Sequence, residues 1–112
     1  MAIESAVKNG YRIFRTGEDL GLRSNISALE GLVKDSLGAG ERHIAVSFTA
    51  DSRLYSNTIA VLVRCISHAE EKSVKLTMVI PNENIMSSLV LVGLSTLVSV
   101  VRSEDELKGP SA

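Results

Sequence analysis

The stretch from Ile44 to Val63, IAVSFTADSRLYSNTIAVLV, decides how this chain can fold. Its first five residues alternate between large apolar and small side chains, the period-2 pattern of a strand with one buried face. After a polar turn the apolar spacing becomes helical, in the stripe Ile59, Leu62, Val63 and Ile66. The stretch therefore predicts a strand, a short turn and a helix that begins at Ser56 and ends near Glu71.

Ser56 stands at the start of this predicted helix. Backbone N–H groups there have no intrahelical partners, and the positive end of the helix dipole lies at the same place. A serine hydroxyl at such a position is a preferred helix cap, and a phosphate group there would be well stabilised. Two compatible roles are therefore open for Ser56, a structural cap and a phosphorylation site.

Composition indicates an ordinary globular domain. At 112 residues the chain predicts one domain over residues 1–112, long enough for a real core. The net charge is -1 with scattered Lys and Arg, which argues against nucleic-acid binding. Cys65 is the single cysteine, so we expect no disulfide and no thiolate metal site. Without a signal pattern or a membrane-length apolar run, a cytoplasmic protein is expected.

Strand-like and helix-like segments alternate along the whole chain. The patterns upstream predict a turn at Asn9-Gly10, strands at Tyr11–Arg15 and near Leu20–Leu22, and a helix capped by Ser24 or Asn25 that ends at Gly38 or Gly40. Those downstream predict a strand at Val74–Ile80, a helix from Asn82 or Asn84 to Val92, a strand at Leu97–Val101 and a short helix from Ser103. The alternation predicts an α/β fold with a mixed, mostly parallel sheet of four to five strands. Polar residues on one side of the strands place the helices mainly on one face.

Three stretches, in this order, resemble the STAS domain, which sulfate transporters and anti-sigma-factor antagonists share. The first runs from Gly17-Glu18-Asp19-Leu20 to Gly40, and the second is Ile44 to Val63. The third comprises Val92-Gly93-Leu94, Leu97 to Val101 and Ser103-Glu104-Asp105-Glu106. The resemblance covers the chain from about Tyr11 to Leu107 and implies a STAS-like fold.

The resemblance also implies a function. In small bacterial antagonists of this family, a partner kinase phosphorylates a serine at the start of the second helix, and Ser56 holds that position here. The chain would then be a non-enzymatic signalling module of transcription regulation that needs no cofactor. It would bind an anti-sigma factor or serine kinase protein, and phosphorylation would weaken the complex. The predicted partner-binding residues are Tyr55, Ser56, Asn57, Thr58, Val61 and Cys65.

A second hypothesis comes from the departures from the family motif. Tyr55 and Thr58 stand where the family has aspartate and glycine, and Ser47 stands where it often has an aspartate. These residues motivate a constitutive structural subunit of a signalling complex or a transporter accessory, without phosphorylation. Ser52 follows Asp51 and imitates an Asp-Ser pair, but it precedes the helical spacing and ranks below Ser56.

Other residues that could carry chemistry have simpler interpretations. Cys65 and His68 share a helix face, but two ligands are too few for zinc. That face, with Val61, lies opposite the predicted apolar stripe and is interpreted as partner-facing or lightly covered. The acidic residues Glu18, Asp19, Glu104, Asp105 and Glu106 are predicted to be solvated or to cap helices.

The third predicted helix carries more apolar residues than one buried stripe needs. Ile85, Leu89 and Val92 have core spacing, whereas the surplus residues are Met86, Val90 and Leu91. The surplus indicates either burial on two sides or an association surface, which leaves a homo-oligomer possible.

Overall fold

A computed structural model describes residues 4–16, 26–48, 56–81, 83–91 and 93–107 of the chain. Several predicted features lie outside these ranges: the extended piece at Leu20–Leu22, the caps Ser24, Asn25 and Asn82, the acidic pair Glu18 and Asp19, and the loop that contains Ser52 and Tyr55. No helix in the described ranges is long and apolar enough to cross a lipid bilayer.

The described chain opens with an antiparallel hairpin. Strand β1 (Glu4–Lys8) pairs with β2 (Tyr11–Arg15), with Lys8 opposite Tyr11. Asn9 and Gly10 form the two-residue turn, with φ of 54° and 84°. Positive φ at both central positions is the requirement of the turn that matches strand twist, and Asn-Gly meets it well. The predicted turn and strand β2 are confirmed, but the sequence patterns had not indicated β1.

The remaining strands are parallel to β2. They are β3 (Ile44–Ser47), β4 (Thr77–Val79) and β5 (Ser99–Val101), and the sheet order is β1-β2-β3-β4-β5. Each strand thus lies beside its neighbour in sequence, which is the usual arrangement of consecutive strands. Strands β4 and β5 are shorter than predicted. Before β5, Leu94–Thr96 form a 3-10 turn that starts at Gly93.

The helices connect the parallel strands in turn. Helix α1 (Ile26–Gly38) joins β2 to β3, α2 (Ser56–Glu71) joins β3 to β4, and α3 (Glu83–Leu91) joins β4 to β5. The bounds of α2 match the prediction, and those of α1 and α3 match it closely. Within the described ranges, this is the mixed, mostly parallel α/β architecture that the alternating pattern predicted.

The two faces of the sheet differ in their cover. Phe14, Val46 and Met78 are in register and belong to the main core, which includes buried residues of all three helices. Ile13, Ala45 and Val79 point to the opposite face and form a smaller buried cluster with Leu107. The helices of the described chain therefore cover one face, as predicted, and the C-terminal segment covers part of the other.

Candidate functional site

The candidate site lies where α2 begins, at the carboxyl edge of the parallel strands. Hydrogen bonds join the ends of neighbouring strands there. Thr16 N–H and the Thr16 hydroxyl both donate to the Ser47 carbonyl, at 2.9 and 3.0 Å. Phe48 N–H donates to the Val79 carbonyl at 3.0 Å. In open α/β sheets this edge is where ligands and partners usually bind, because loops and helix N-termini meet there.

Helix α2 starts at Ser56, as the sequence predicted. The backbones of Ser56, Asn57 and Thr58 form its first turn. Their N–H groups therefore include the donors that a helix leaves without intrahelical partners, and the local potential favours negative charge. Tyr55 lies outside the described residues. The backbone thus offers at Ser56 an environment in which a phosphate would be tolerated without unfolding the helix.

The exposed side of α2 differs from the predicted one. Val61 and Cys65 are 2% and 0% exposed and belong to the core, so the prediction that they face a partner is wrong. Val63, which was predicted to be buried, is 43% exposed. The buried face is set by Val61, Leu62, Cys65, Ile66 and Ala69. The exposed residues on the opposite side are Ala60, Val63, Arg64 and Ser67.

Helix α1 packs beside α2 and supplies an acidic partner for two of its side chains. Glu30 of α1 accepts a hydrogen bond from Arg64 Nε at 2.8 Å, and its other oxygen lies 2.8 Å from His68 Nε2. The hydrogen bonds from His68 and then Arg64 hold the pKa of Glu30 below its usual value. His68 thus faces a carboxylate on the neighbouring helix, and its side chain is 24% exposed.

Cys65 is not arranged for nucleophilic chemistry. Its thiol is buried in the core, and burial raises its pKa to about 12. Burial is the largest cause of this rise, and the nearby charge of Glu30 contributes to it. A cysteine nucleophile needs the opposite, a lowered pKa and access to solvent. The described residues also contain no group of three or more His, Cys, Asp and Glu side chains placed to hold a metal ion.

The acidic end of the chain makes an ion-pair cluster that the sequence did not predict. Ser103 makes no side-chain capping bond, although Glu104–Glu106 form a 3-10 turn after it. Glu104 instead accepts hydrogen bonds from Arg15 Nε and Nη2 at 2.9 and 2.8 Å. The Arg15 bonds are the main reason why the pKa of Glu104 is lowered, and a hydrogen bond with Ser47 adds to the effect. The capping or solvated role predicted for Glu104 is therefore wrong.

The apolar surplus of α3 is exposed on the described chain. Ile85 and Leu89 are buried in the core, whereas Val90 and Leu91 are 56% and 86% exposed. Met86 lies between these extremes and packs against the core. Val90 and Leu91 are thus not buried against a second part of the described chain. They form an exposed apolar pair at the end of α3.

Comparison with solved structures identifies the fold. TM1081 of Thermotoga maritima, assigned as an anti-sigma factor antagonist, superposes with a TM-score of 0.72 over 93% of this chain and 89% of its own, at 18% identity. Its NMR structure gives 0.77 over 95% and 85%, at 19% identity. This chain has the anti-sigma-factor-antagonist fold.

A third solved structure extends the comparison to a phosphorylated protein. The Bacillus cell fate determinant SpoIIAA, in its phosphorylated form, superposes with a TM-score of 0.63 over 94% of this chain and 95% of its own, at 11% identity. No protein-family model and no curated protein sequence matches the chain. The similarity to these solved structures confirms the STAS resemblance at the level of the fold.

Proposed function

We propose that this chain is a cytoplasmic, non-enzymatic regulatory module of the anti-sigma-factor-antagonist type. It binds an anti-sigma factor with serine-kinase activity, and phosphorylation of Ser56 weakens the complex. The observation that carries the proposal is the combination of the antagonist fold over nearly the whole chain with a helix α2 that begins at Ser56. That one neighbour of this fold occurs in a phosphorylated form adds support.

The partner surface that we propose comprises the start of α2 and its exposed side. Tyr55, Ser56, Asn57 and Thr58 stay in this proposal, and Val63 and Ser67 replace the buried Val61 and Cys65. Ala60, Val63 and Ser67 follow Ser56 at i+4, i+7 and i+11, the spacing of one helix side. Their side chains are small, so a partner backbone could approach α2 closely along this side.

A phosphate on Ser56 would act locally on such a surface. It adds about -1.5 to -2 charges at neutral pH together with three acceptor oxygens. The N-terminus of α2 favours this charge, so the domain should stay folded. A partner that packs on the same turn would instead meet added bulk and negative charge, which weakens docking.

The direct test is phosphorylation in the presence of the partner kinase. The chain is incubated with the serine-kinase anti-sigma factor of its own genome and ATP, and the added phosphate is located by mass spectrometry. We expect one phosphate on Ser56, none in Ser56→Ala, and full labelling of Ser67→Ala, which removes an exposed hydroxyl from the same helix. Equal labelling of Ser56→Ala and the unmodified chain would exclude Ser56 as the site.

A second candidate function is a constitutive structural subunit that assembles without phosphorylation. The exposed pair Val90 and Leu91 supports it, because adjacent exposed apolar side chains favour association. Light scattering with Leu91→Glu and the matched change Ser87→Glu, an exposed residue of the same helix, tests this candidate. An oligomer that only Leu91→Glu disrupts would favour it. A strict monomer that joins no larger complex would count against it.

A further inference from the structure

Residues 103–107 form a turn that packs on the face of the sheet that carries Ile13, Ala45 and Val79. Both ion pairs and apolar contact hold the turn there. Glu104 takes two hydrogen bonds from Arg15, and Lys8 Nζ lies 2.9 Å from an oxygen of Asp105. Leu107, three residues after Glu104, is 3% exposed. A segment of five residues thus contributes two ion pairs and one buried leucine to a face that no helix of the described chain covers.

The residues beneath Leu107 form a strip of apolar surface. Ile13 and Ala45 are fully buried, and Val79 is 3% exposed. These three belong to adjacent strands, and Leu107 is the described member of their cluster that lies outside the sheet. Removing the turn would therefore uncover this strip, and would also leave the Arg15 and Lys8 cations without the carboxylates of Glu104 and Asp105.

The turn is held in a way that permits local release. Its internal backbone hydrogen bonds are few: Glu106 N–H donates to the Ser103 carbonyl and Leu107 N–H to the Glu104 carbonyl, both at 3.1 Å. The turn is a 3-10 segment, whose hydrogen-bond geometry is poor. None of its residues belongs to the main core, which consists of residues from the helices and from the sheet face of Phe14, Val46 and Met78. Segments with few buried contacts open at lower free energy than the domain unfolds.

We propose that residues 103–107 form a detachable clasp, held by Glu104 on Arg15, whose opening uncovers the apolar strip of Ile13, Ala45 and Val79 while the rest of the domain stays folded. Arg15, which Glu104 holds, lies opposite Ser47, the last residue of β3. The clasp is therefore attached beside the strand end from which the chain proceeds to α2. This inference stands independently of the function proposed above.

Two thiols can report on the clasp and on the whole domain in one protein. Leu107→Cys places a thiol under the clasp, and Cys65 is a buried thiol in the main core that reports global unfolding. We expect a thiol reagent to label the introduced thiol at position 107 about tenfold or more faster than Cys65, since local opening requires less free energy. Raising salt to about 1 M, where the Debye length is about 3 Å, should speed labelling at position 107 selectively.

Charge-removing variants identify the pair that holds the clasp. In the Leu107→Cys chain, Glu104→Gln should speed labelling at position 107 by about tenfold or more, as the loss of charged hydrogen bonds implies. Glu106→Gln removes the same charge from an exposed position of the same turn and should change the rate less than about twofold. Labelling of Cys65 should not respond to either change.

Hydrogen exchange of the chain with its native Leu107 gives an independent measurement. The Leu107 amide should exchange faster than the amides of β3, and Glu104→Gln should widen that difference. Equal labelling rates at positions 107 and 65, or a Glu104→Gln effect that is the same at both thiols, would overturn the clasp. In either case the turn would open only when the whole domain unfolds.

Discussion

His68 Nε2 lies 2.8 Å from Glu30 Oε2, and this contact links the second helix to the first. The other oxygen of Glu30 accepts a hydrogen bond from Arg64 Nε at 2.8 Å. Arg64 and His68 are four residues apart, one helical turn, so a single carboxylate can bind both. This link joins the two helices beside the buried residues of α2 that belong to the core.

We predict that Glu30→Gln destabilises the domain at neutral pH and that this effect is smaller in acid. Because its pKa is lowered on folding, Glu30 adds stability above its ordinary pKa of about 4.3. This contribution is lost as pH falls through the lowered folded-state value. Urea unfolding of both proteins at about pH 7 and about pH 3 measures it.

The matched control for that prediction is Glu71→Gln, which removes the charge of an exposed residue at the end of α2. Its free energy of unfolding should follow that of the unmodified protein at both pH values. A Glu30→Gln effect of equal size at neutral and acid pH would show that packing, and not the carboxylate charge, links the two helices.

Val61 and Val63 provide a matched pair of truncations on α2. Val61→Ala should lower the free energy of unfolding by about 2 kcal/mol, because buried methyl groups are lost and a cavity is left. Val63→Ala, at a position 43% exposed, should change it by less than about 0.5 kcal/mol. Denaturant titration distinguishes them. On the proposed partner surface, Val63→Ala should also weaken partner binding more than it changes stability.

The pattern of α2 illustrates what periodicity can and cannot predict. Spacing alone located the helix from Ser56 to Glu71, since apolar residues recur at the helical period. The predicted buried side of α2 was wrong because the prediction used only the most strongly apolar residues, and these include the exposed Val63. The real face also uses Cys65 and Ala69, which are small. Their burial depends on the approach of α1, a tertiary contact that no local pattern reports.

The two features that the sequence did not reveal have a common cause. Strand β1 is an edge strand whose residues are largely exposed, so it lacks the alternation that marks a half-buried strand. Its local signal was the Asn9-Gly10 turn, which usually joins two strands. Glu104 has no such signal, because its partner Arg15 is 89 residues away in the chain. Both features depend on pairing across the sheet.

Cys65 should be inert in the folded protein. Its thiol is buried, and its pKa is raised to about 12, so at about pH 8 almost none is in the reactive thiolate form. We expect a chromogenic disulfide reagent to titrate no thiol in native protein and one thiol per chain in denaturant. Stoichiometric reaction within the mixing time under native conditions would contradict the burial of this side chain.

Replacing either of two glycines, Gly31 and Gly93, with alanine should change the free energy of unfolding, and the two changes should have opposite signs. Gly31 lies inside α1 and Gly93 precedes the 3-10 turn with φ of 80°, and a Cβ at either position would meet no atom within 4 Å. Crowding therefore contributes to neither change, and backbone conformation decides the sign. Gly31→Ala should stabilise the domain by about 0.5–1 kcal/mol, because alanine loses less entropy in a helix. Gly93→Ala should destabilise it by about 1–2 kcal/mol, because the left-handed region is unfavourable for a residue with a Cβ. Urea titrations of the two variants give both values, and shifts of the same sign would show that the backbone at position 31 or 93 differs from the one described.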